Sequence, residues 1–362
     1  MVPHQLSEIV RVSHPPKSGP SVTMRDVARA AGVSRMTVSR ALKKDSPVSS
    51  ETREHILQIV REMNYVPDQM AGSLTTKRSG FVAVLVPSLN NLHFAETVQA
   101  LTEELEKIDQ QILLGHTDYS AEREETLVES MLRRRPEAIV LSYDGHSDRT
   151  VQLLSDANIP VIELWEQPAN PIGHTIGFSN RKAACMMVQA LINGGYRNIA
   201  FLGEDDDDWT RGAARRKGYL DAMAQAGLSA HRILQIGKPP LSIEDGAAGA
   251  RMLLETYPDI DCIFCVSDAP AFGALSALAQ LGKAVPGDIG IAGFGNFEVS
   301  RFSSPAISTV TVDPRAIGTA AGELLAELIQ TTRSPAGYVE QAPRWVDIDV
   351  TLSLRESTKF SK

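Results

Sequence analysis

Cysteine is scarce in this sequence: 362 residues hold only Cys185, Cys262 and Cys265. Three thiols make no disulfide framework in a chain this long, so a reducing, cytoplasmic setting is expected. Cys262 and Cys265 form a C-x-x-C, but inside an expected strand their side chains point to opposite faces. No second pair follows at zinc spacing, so both are expected in the core. The eight histidines make no metal pattern, and neither metal nor cofactor is expected. A G-x-G-x-x-G after a strand, a P-loop and a G-x-S-x-G are all missing, so no enzyme is expected. No apolar run reaches the length of a membrane span. The first 21 residues lack the basic region, apolar core and small-residue cleavage site of a signal peptide. No internal repeat stands out, and no heptad tail follows WVDIDVTLSL, which favours a dimer over a tetramer held by a coiled coil.

What is present is an uneven charge. The net charge is −8, yet residues 21–80 hold ten Lys and Arg against six Asp and Glu. The remainder of the chain is strongly acidic. A small basic head on an acidic body suits nucleic-acid contact by the head alone.

Within that head lies TMRDVARAAGVSRMTVSR, residues 23–40. Thr23 stands where its hydroxyl can cap a first helix, with Val27, Ala30 and Ala31 at helical spacing on one face. Gly32 supplies the positive φ that ends a helix at little cost. Ser34 caps a second run with Met36, Thr37, Val38, Ser39 and Arg40. Helix, glycine turn and capped helix make the sequence form of a helix-turn-helix, whose second helix can enter a major groove. After the polar KKDSPVSS, Ser49 or Ser50 can cap a third helix with the apolar stripe Ile56, Ile59, Val60 and Met63.

From residue 81 the pattern changes. Continuous apolar runs are expected as strands at 81–86, 111–116, 138–143, 160–164, 174–179, 198–203, 262–267 and 289–294, with helical stretches between them. Such alternation means parallel sheets covered on both faces. The number of units suggests two doubly wound subdomains, an α/β body with its ligand beyond the carboxyl ends of the strands.

The head resembles the DNA-binding segment of the LacI–GalR repressors. D-V-A-x-x-A-G-V-S-x-x-T-V-S-R stands as Asp26 to Arg40, V-S-x-x-T-R as Val48 to Arg53, and Y-V-P as Tyr65 to Pro67. VPSLNN, GFSN, VSDAPAFGA and GIAGFGN extend the likeness over nearly everything after residue 22. Arg35-Met36, IPVIEL and IAGF are most similar to the gluconate-operon repressors. The resemblance implies a homodimer on a palindromic operator of double-stranded DNA, with a hinge helix after Pro67 in the minor groove. It also implies a periplasmic-binding-protein-like body.

Arg35 and Arg40 can bond guanine edges, while Met36 can pack on thymine methyls. Ser34, Thr37 and Ser39 suit phosphate oxygens, although Thr37 and Ser39 can equally serve as local caps. The resemblance adds Thr23, Thr52, Tyr65, Met70 and Ala71 to the DNA-binding positions, with Leu74 as the wedge that unstacks a base step. Two positions depart from the pattern. Asp68 replaces the usual asparagine, and Gly72 costs the hinge helix about 1 kcal/mol. Both imply a hinge that depends on DNA for its order.

For the effector, the resemblance places Ser88, Phe94, Trp165, Phe178, Arg215, Ser267, Asp268 and Asn296 at the pocket. A guanidinium at 215 suits a carboxylate ligand. Many sugar-binding members carry an aspartate after GIAGF, where this chain has Gly295-Asn296. Removing a carboxylate admits an acidic ligand, so a sugar acid such as gluconate is expected. Glu163 and the GEDDDD run at 203–208 count against it only if they enter the pocket.

The expected division is a leader at 1–21, head at 22–66, hinge at 67–79, body at 80–356 and tail at 357–362. Subdomain one takes 80–178 plus 308–338, and subdomain two takes 179–307 plus 339–356. Two other functions stay open on sequence: a sugar-binding or transport protein with an unrelated head, or a sugar-modifying enzyme on the same fold.

Overall fold

A computed structural model describes residues 22–43, 46–67, 79–142, 145–205, 210–332 and 342–359. Met70, Ala71 and Leu74, with Asp68 and Gly72, lie outside them, as does the leader. The chain divides into two units, residues 1–77 and 78–362.

Among the described residues, the head has the helices α1 (Met24–Ala30), α2 (Arg35–Ala41) and α3 (Ser50–Glu62). Gly32 sits between the first two at φ +66, a conformation open to glycine at little cost. The amide of Val33 donates to the carbonyl of Ala28 and so closes α1. Ser34 accepts from the Thr37 amide, and Ser49, not Ser50, caps α3 by accepting from Thr52. Val27, Ala28, Ala31, Val38, Ala41, Ile56, Ile59 and Tyr65 form the core. Ala30 faces solvent and Ala28 faces inward, because the buried stripe of α1 runs one residue off the expected set. Thr23 behaves differently from a simple acceptor cap: its hydroxyl and its amide both donate to the Asp26 carboxylate, at 2.6 and 3.1 Å.

Among the described residues, the body holds two six-stranded sheets. The first contains β1 (Phe81–Val86), β2 (Gln111–His116), β3 (Ile139–Ser142), β4 (Val161–Leu164) and β5 (His174–Gly177). Its order is β11-β5-β4-β3-β1-β2, with β11 at Trp345–Asp347. The second contains β6 (Ile199–Gly203), β7 (Ile233–Gln235), β8 (Cys262–Cys265), β9 (Gly290–Gly295), β10 (Ser308–Thr311) and β12 (Thr351–Ser353). All eight expected strands are present. Four strands were missed: β7, β11 and β12 are three residues each with at least one face in solvent, too short to show a periodicity, and β10 is STVT, whose hydroxyl side chains make no apolar run.

Two boundaries differ from expectation. β10 pairs with β9, and therefore belongs to subdomain two rather than one. β11 pairs with β5, and therefore belongs to subdomain one. The chain crosses between lobes three times: after β5, after β10 and after β11. The helix that follows β10, Pro314–Thr332, packs in lobe one along Leu92–Glu106. The last crossing turns the chain round, so β12 runs antiparallel to β10. The expected tail also begins too early, because Ser357 is fully buried and its hydroxyl donates to the carbonyl of Ile291 at 2.6 Å. Cys262 and Cys265 are wholly buried and belong to different apolar clusters on opposite faces of β8.

Candidate functional site

In the head, Arg35, Met36 and Arg40 project from α2 into solvent, and Met36 is 62% exposed. Two guanidiniums flanking an exposed thioether can bond base edges and phosphates while packing on methyl groups. Ser34 and Thr37 share a hydroxyl–hydroxyl bond at 2.9 Å, so each already serves the helix start; Ser39 is half-buried. The Thr52 hydroxyl accepts from Ser49 at 2.8 Å. Tyr65 is 8% exposed and packs in the core. Its position places it as a support of the head more than as an open contact.

The body carries a cleft between its lobes, beyond the carboxyl ends of both sheets, where doubly wound folds hold ligands. Of the residues expected there, Phe94, Trp165, Arg215 and Ser267 line it. Arg215 lies on the helix Arg211–Gln225, which Thr210 caps by accepting from Ala213. Its Nη1 donates to the Val266 carbonyl at 2.8 Å, and its guanidinium lies 3.8 Å over the Phe294 ring. Burial lowers its pKa to about 10; Glu204 and Glu166 oppose that shift and Arg211 adds to it. The half-buried cation is therefore held charged at neutral pH at some electrostatic cost. Trp165 adopts φ +74, a left-handed conformation that a bulky residue keeps only where its surroundings impose it.

Four expected residues are not in the lining. Ser88 accepts from the Asn90 amide and lines a separate apolar groove with Leu89, Val98 and Leu114. Phe178 stands behind the wall, its ring 6.3 Å from Trp165 and 6.2 Å from Phe294. Asp268 is fully buried and accepts from the Thr309 hydroxyl at 2.6 Å and the Phe297 amide at 2.7 Å. It ties β10 to the turn after β9, and burial pushes its carboxyl up. Asn296 accepts from Arg355, which turns its side chain to the outer side of that turn.

Other residues take their place. Asn91, His93, Tyr119, Glu204, Arg211 and Phe297 line the cleft. Arg211 stands four residues before Arg215, on one helix face, and its guanidinium lies 5.1 Å from the Phe94 ring; that spacing was available in the sequence. His93 follows the cap Asn91 in the first turn of Leu92–Glu106, a second available signal. Glu163 stays away from the cleft, since it is buried and accepts from the amides of Ile172 and Gly173. The acidic run does reach it, through Glu204. Glu204 thus shares the lining with Arg211 and Arg215. Burial also raises the Glu166 carboxyl just behind Trp165.

A basic helix-turn-helix head joined to a two-lobed body with a polar cleft defines a ligand-responsive DNA-binding regulator. Residues 23–68 match the bacterial regulatory proteins of the lacI family, and residues 188–351 match a periplasmic binding protein-like domain. The HTH-type transcriptional regulator IdnR of Escherichia coli (strain K12) is 34% identical over 85% of this chain and 92% of its own length. The chain belongs to the LacI family of transcriptional regulators. A crystal structure of a LacI family transcriptional regulator from Silicibacter pomeroyi is 57% identical, with TM-score 0.73, over 77% of this chain and 99% of that one. The Lac repressor dimer bound to operator and the anti-inducer ONPF superposes with TM-score 0.80 over 93% of this chain and 99% of that one; at 24% identity this speaks for the fold alone.

Proposed function

We propose that the chain is a homodimeric repressor of sugar-acid utilisation genes, and that a gluconate-like acid in the body's cleft changes its affinity for a palindromic operator. The observation that carries this reading is the pair Arg211 and Arg215 on one helix face at the cleft wall. Arginines bind carboxylates bidentately, and an anion beside Arg215 offsets the cost of its burial. Glu204 on the same wall suits ligand hydroxyls, and the two guanidiniums suit a carboxylate. The turn Gly295-Asn296 adds no negative charge to the lining, since Asn296 is engaged with Arg355. Exposed Leu89, Leu92 and Leu114 on lobe one give an apolar surface for a second copy to cover.

Binding would bias the two lobes between arrangements, and through them the paired heads. Calorimetry with aldonic acids and neutral sugars tests the ligand class. Micromolar heats with gluconate and none with glucose are expected; tight binding of a neutral sugar with no response to acids overturns the reading. Binding to duplexes selected by the purified protein, read against salt, tests the palindrome.

A further inference from the structure

The turn after β9 raises a steric question that the ligand class alone does not answer. Gly295 sits at φ +129, and a Cβ there would lie 2.6 Å from Cε2 of Phe297 and 3.0 Å from Cε1 of His93. Only glycine fits, because two rings close over it. His93, from lobe one, stacks on Phe297, from lobe two, with centroids 3.9 Å apart and planes 15° apart. On its other side His93 stacks on Trp165 at 5.6 Å. Its imidazole also bonds to the Gly295 backbone. All of these residues line the same cleft.

We propose that His93 and Phe297 are a specificity clasp, stacking across the two lobes over Gly295 so that only a ligand small enough to lie beneath the closed stack is held. This rests on the reading of the cleft as the effector site. Gly295 thus does two things: it puts no carboxylate into the lining and it makes room for the rings. A ligand with a second sugar ring beyond the first would have to part the stack.

Closing the clasp is coupled to loss of a proton from His93. Burial, with Arg215 adding to it, holds His93 at about 4, while the bond to the Gly295 backbone works the other way. Among the described residues, the charged and titratable groups around His93 in the cleft are Arg215 and Arg211 on one helix, Glu204 after β6 and Tyr119 after β2. When the lobes part, the ring returns to water and to its ordinary value of about 6.5. A depressed value in the closed form means that protonation does not oppose closure above pH ~6.5 and opposes it increasingly as pH falls toward 4. Ligand affinity then drops by up to about tenfold per pH unit in that window.

NMR titration of the full chain, with His93 assigned from the resonance lost in His93→Gln, tests the clasp without any ligand. A midpoint well below 6 is expected, moving toward 6.5 in Gly295→Ala. A midpoint near 6.5 in the unaltered chain overturns the clasp. Calorimetry then compares gluconate with lactobionate, which carries an added galactosyl group. The unaltered chain is expected to prefer gluconate by more than tenfold, and Phe297→Ala to bring the two within threefold. An unchanged preference in Phe297→Ala overturns the size role, and Phe297→Leu repeats the measurement if the alanine variant does not fold. If neither acid binds, the sugar-acid reading fails while the titration still decides the clasp.

Discussion

Nε of Arg215 donates to Oδ1 of Asn180 at 2.9 Å, so the cleft's arginine is held by the first residue of the helix Asn180–Asn193, just after the first lobe crossing. The other end of the Asn180 amide donates to the Trp165 carbonyl, also at 2.9 Å. One fully buried side chain therefore links the strained Trp165 turn of lobe one to the cleft-lining cation of lobe two.

Removing that amide leaves a half-buried guanidinium donor and a buried carbonyl without this partner. Asn180→Ala is expected to destabilise the body by about 1.5–3 kcal/mol, the usual range for bonds to a charged group. It should weaken gluconate binding at least tenfold while operator binding without ligand persists. Urea denaturation and calorimetry check both. Equal affinity in the variant would mean that Arg215 is placed by Val266 and the Phe294 ring alone.

Arg53 holds the head together from its third helix. Its Nη1 donates to the carbonyls of Ala41 and Lys43, and its Nη2 to Ser46 at 2.9 Å. Arg53→Ala leaves three carbonyls without this donor, and a loss of about 2–4 kcal/mol from the head is expected. Because the head has its own core, thermal unfolding should show the head transition moving down and the body transition unmoved.

Arg35 and Met36 are expected to act differently on DNA. Arg35→Ala should cost about 1–3 kcal/mol and relax the base preference at one position per half-site, since a guanine contact is directional. Met36→Ala removes only packing and should cost less than about 1.5 kcal/mol. Binding to a panel of single-base variants of the selected duplex separates the two. A uniform loss across all sequences for Arg35→Ala would place that arginine on phosphate.

His146 gives lobe one a pH dependence of opposite sign to that of the clasp. Its Nδ1 lies 2.6 Å from Glu124 and its Nε2 3.5 Å from Glu163, with all three side chains buried. Burial alone would lower its value, but the two carboxylates outweigh burial and raise it to about 9. A raised folded value means stability that is fully present below about pH 6.5 and lost as pH rises through about 9. The total is on the order of 3 kcal/mol. The body's Tm should fall across that window, and His146→Gln should be lower at pH 6 and flatter above it. A Tm rising from pH 6.5 to 9 in the unaltered chain would contradict the pairing.

The head was legible almost in full, because caps, a glycine turn and helical spacing are local. Its one error, Ala30 for Ala28, is a shift along a short helix with alanines on both sides. The long parallel strands were legible for the same reason: FVAVLV and IGIAGF are apolar whichever partner they meet. β10 and β11 were assigned to the wrong lobes, since strand partners are set by pairing across more than 150 residues for β5 with β11. The cleft was half legible. Arg215 and Trp165 sit where strand ends and helix starts converge, and family position found them. Asp268 and Asn296 lie at similar strand ends, yet Thr309 and Arg355, distant in sequence, turn their side chains away. His93 was missed because its meaning comes from Phe297, which stands on the opposite lobe.

The three lobe crossings have a consequence for how the protein comes into being. The head's buried core is complete once Tyr65 has been made. Neither sheet of the body is complete until its last strand, and those strands are β11 and β12, at 345–347 and 351–353. As the chain leaves the ribosome, a part able to fold on DNA exists long before the part that controls it. A message cut short anywhere before codon 345 would deprive both lobes of an edge at once, leaving no half-body to dimerise. Loss of the final segment is therefore expected to abolish assembly altogether, rather than yield a repressor that has merely gone deaf to its ligand.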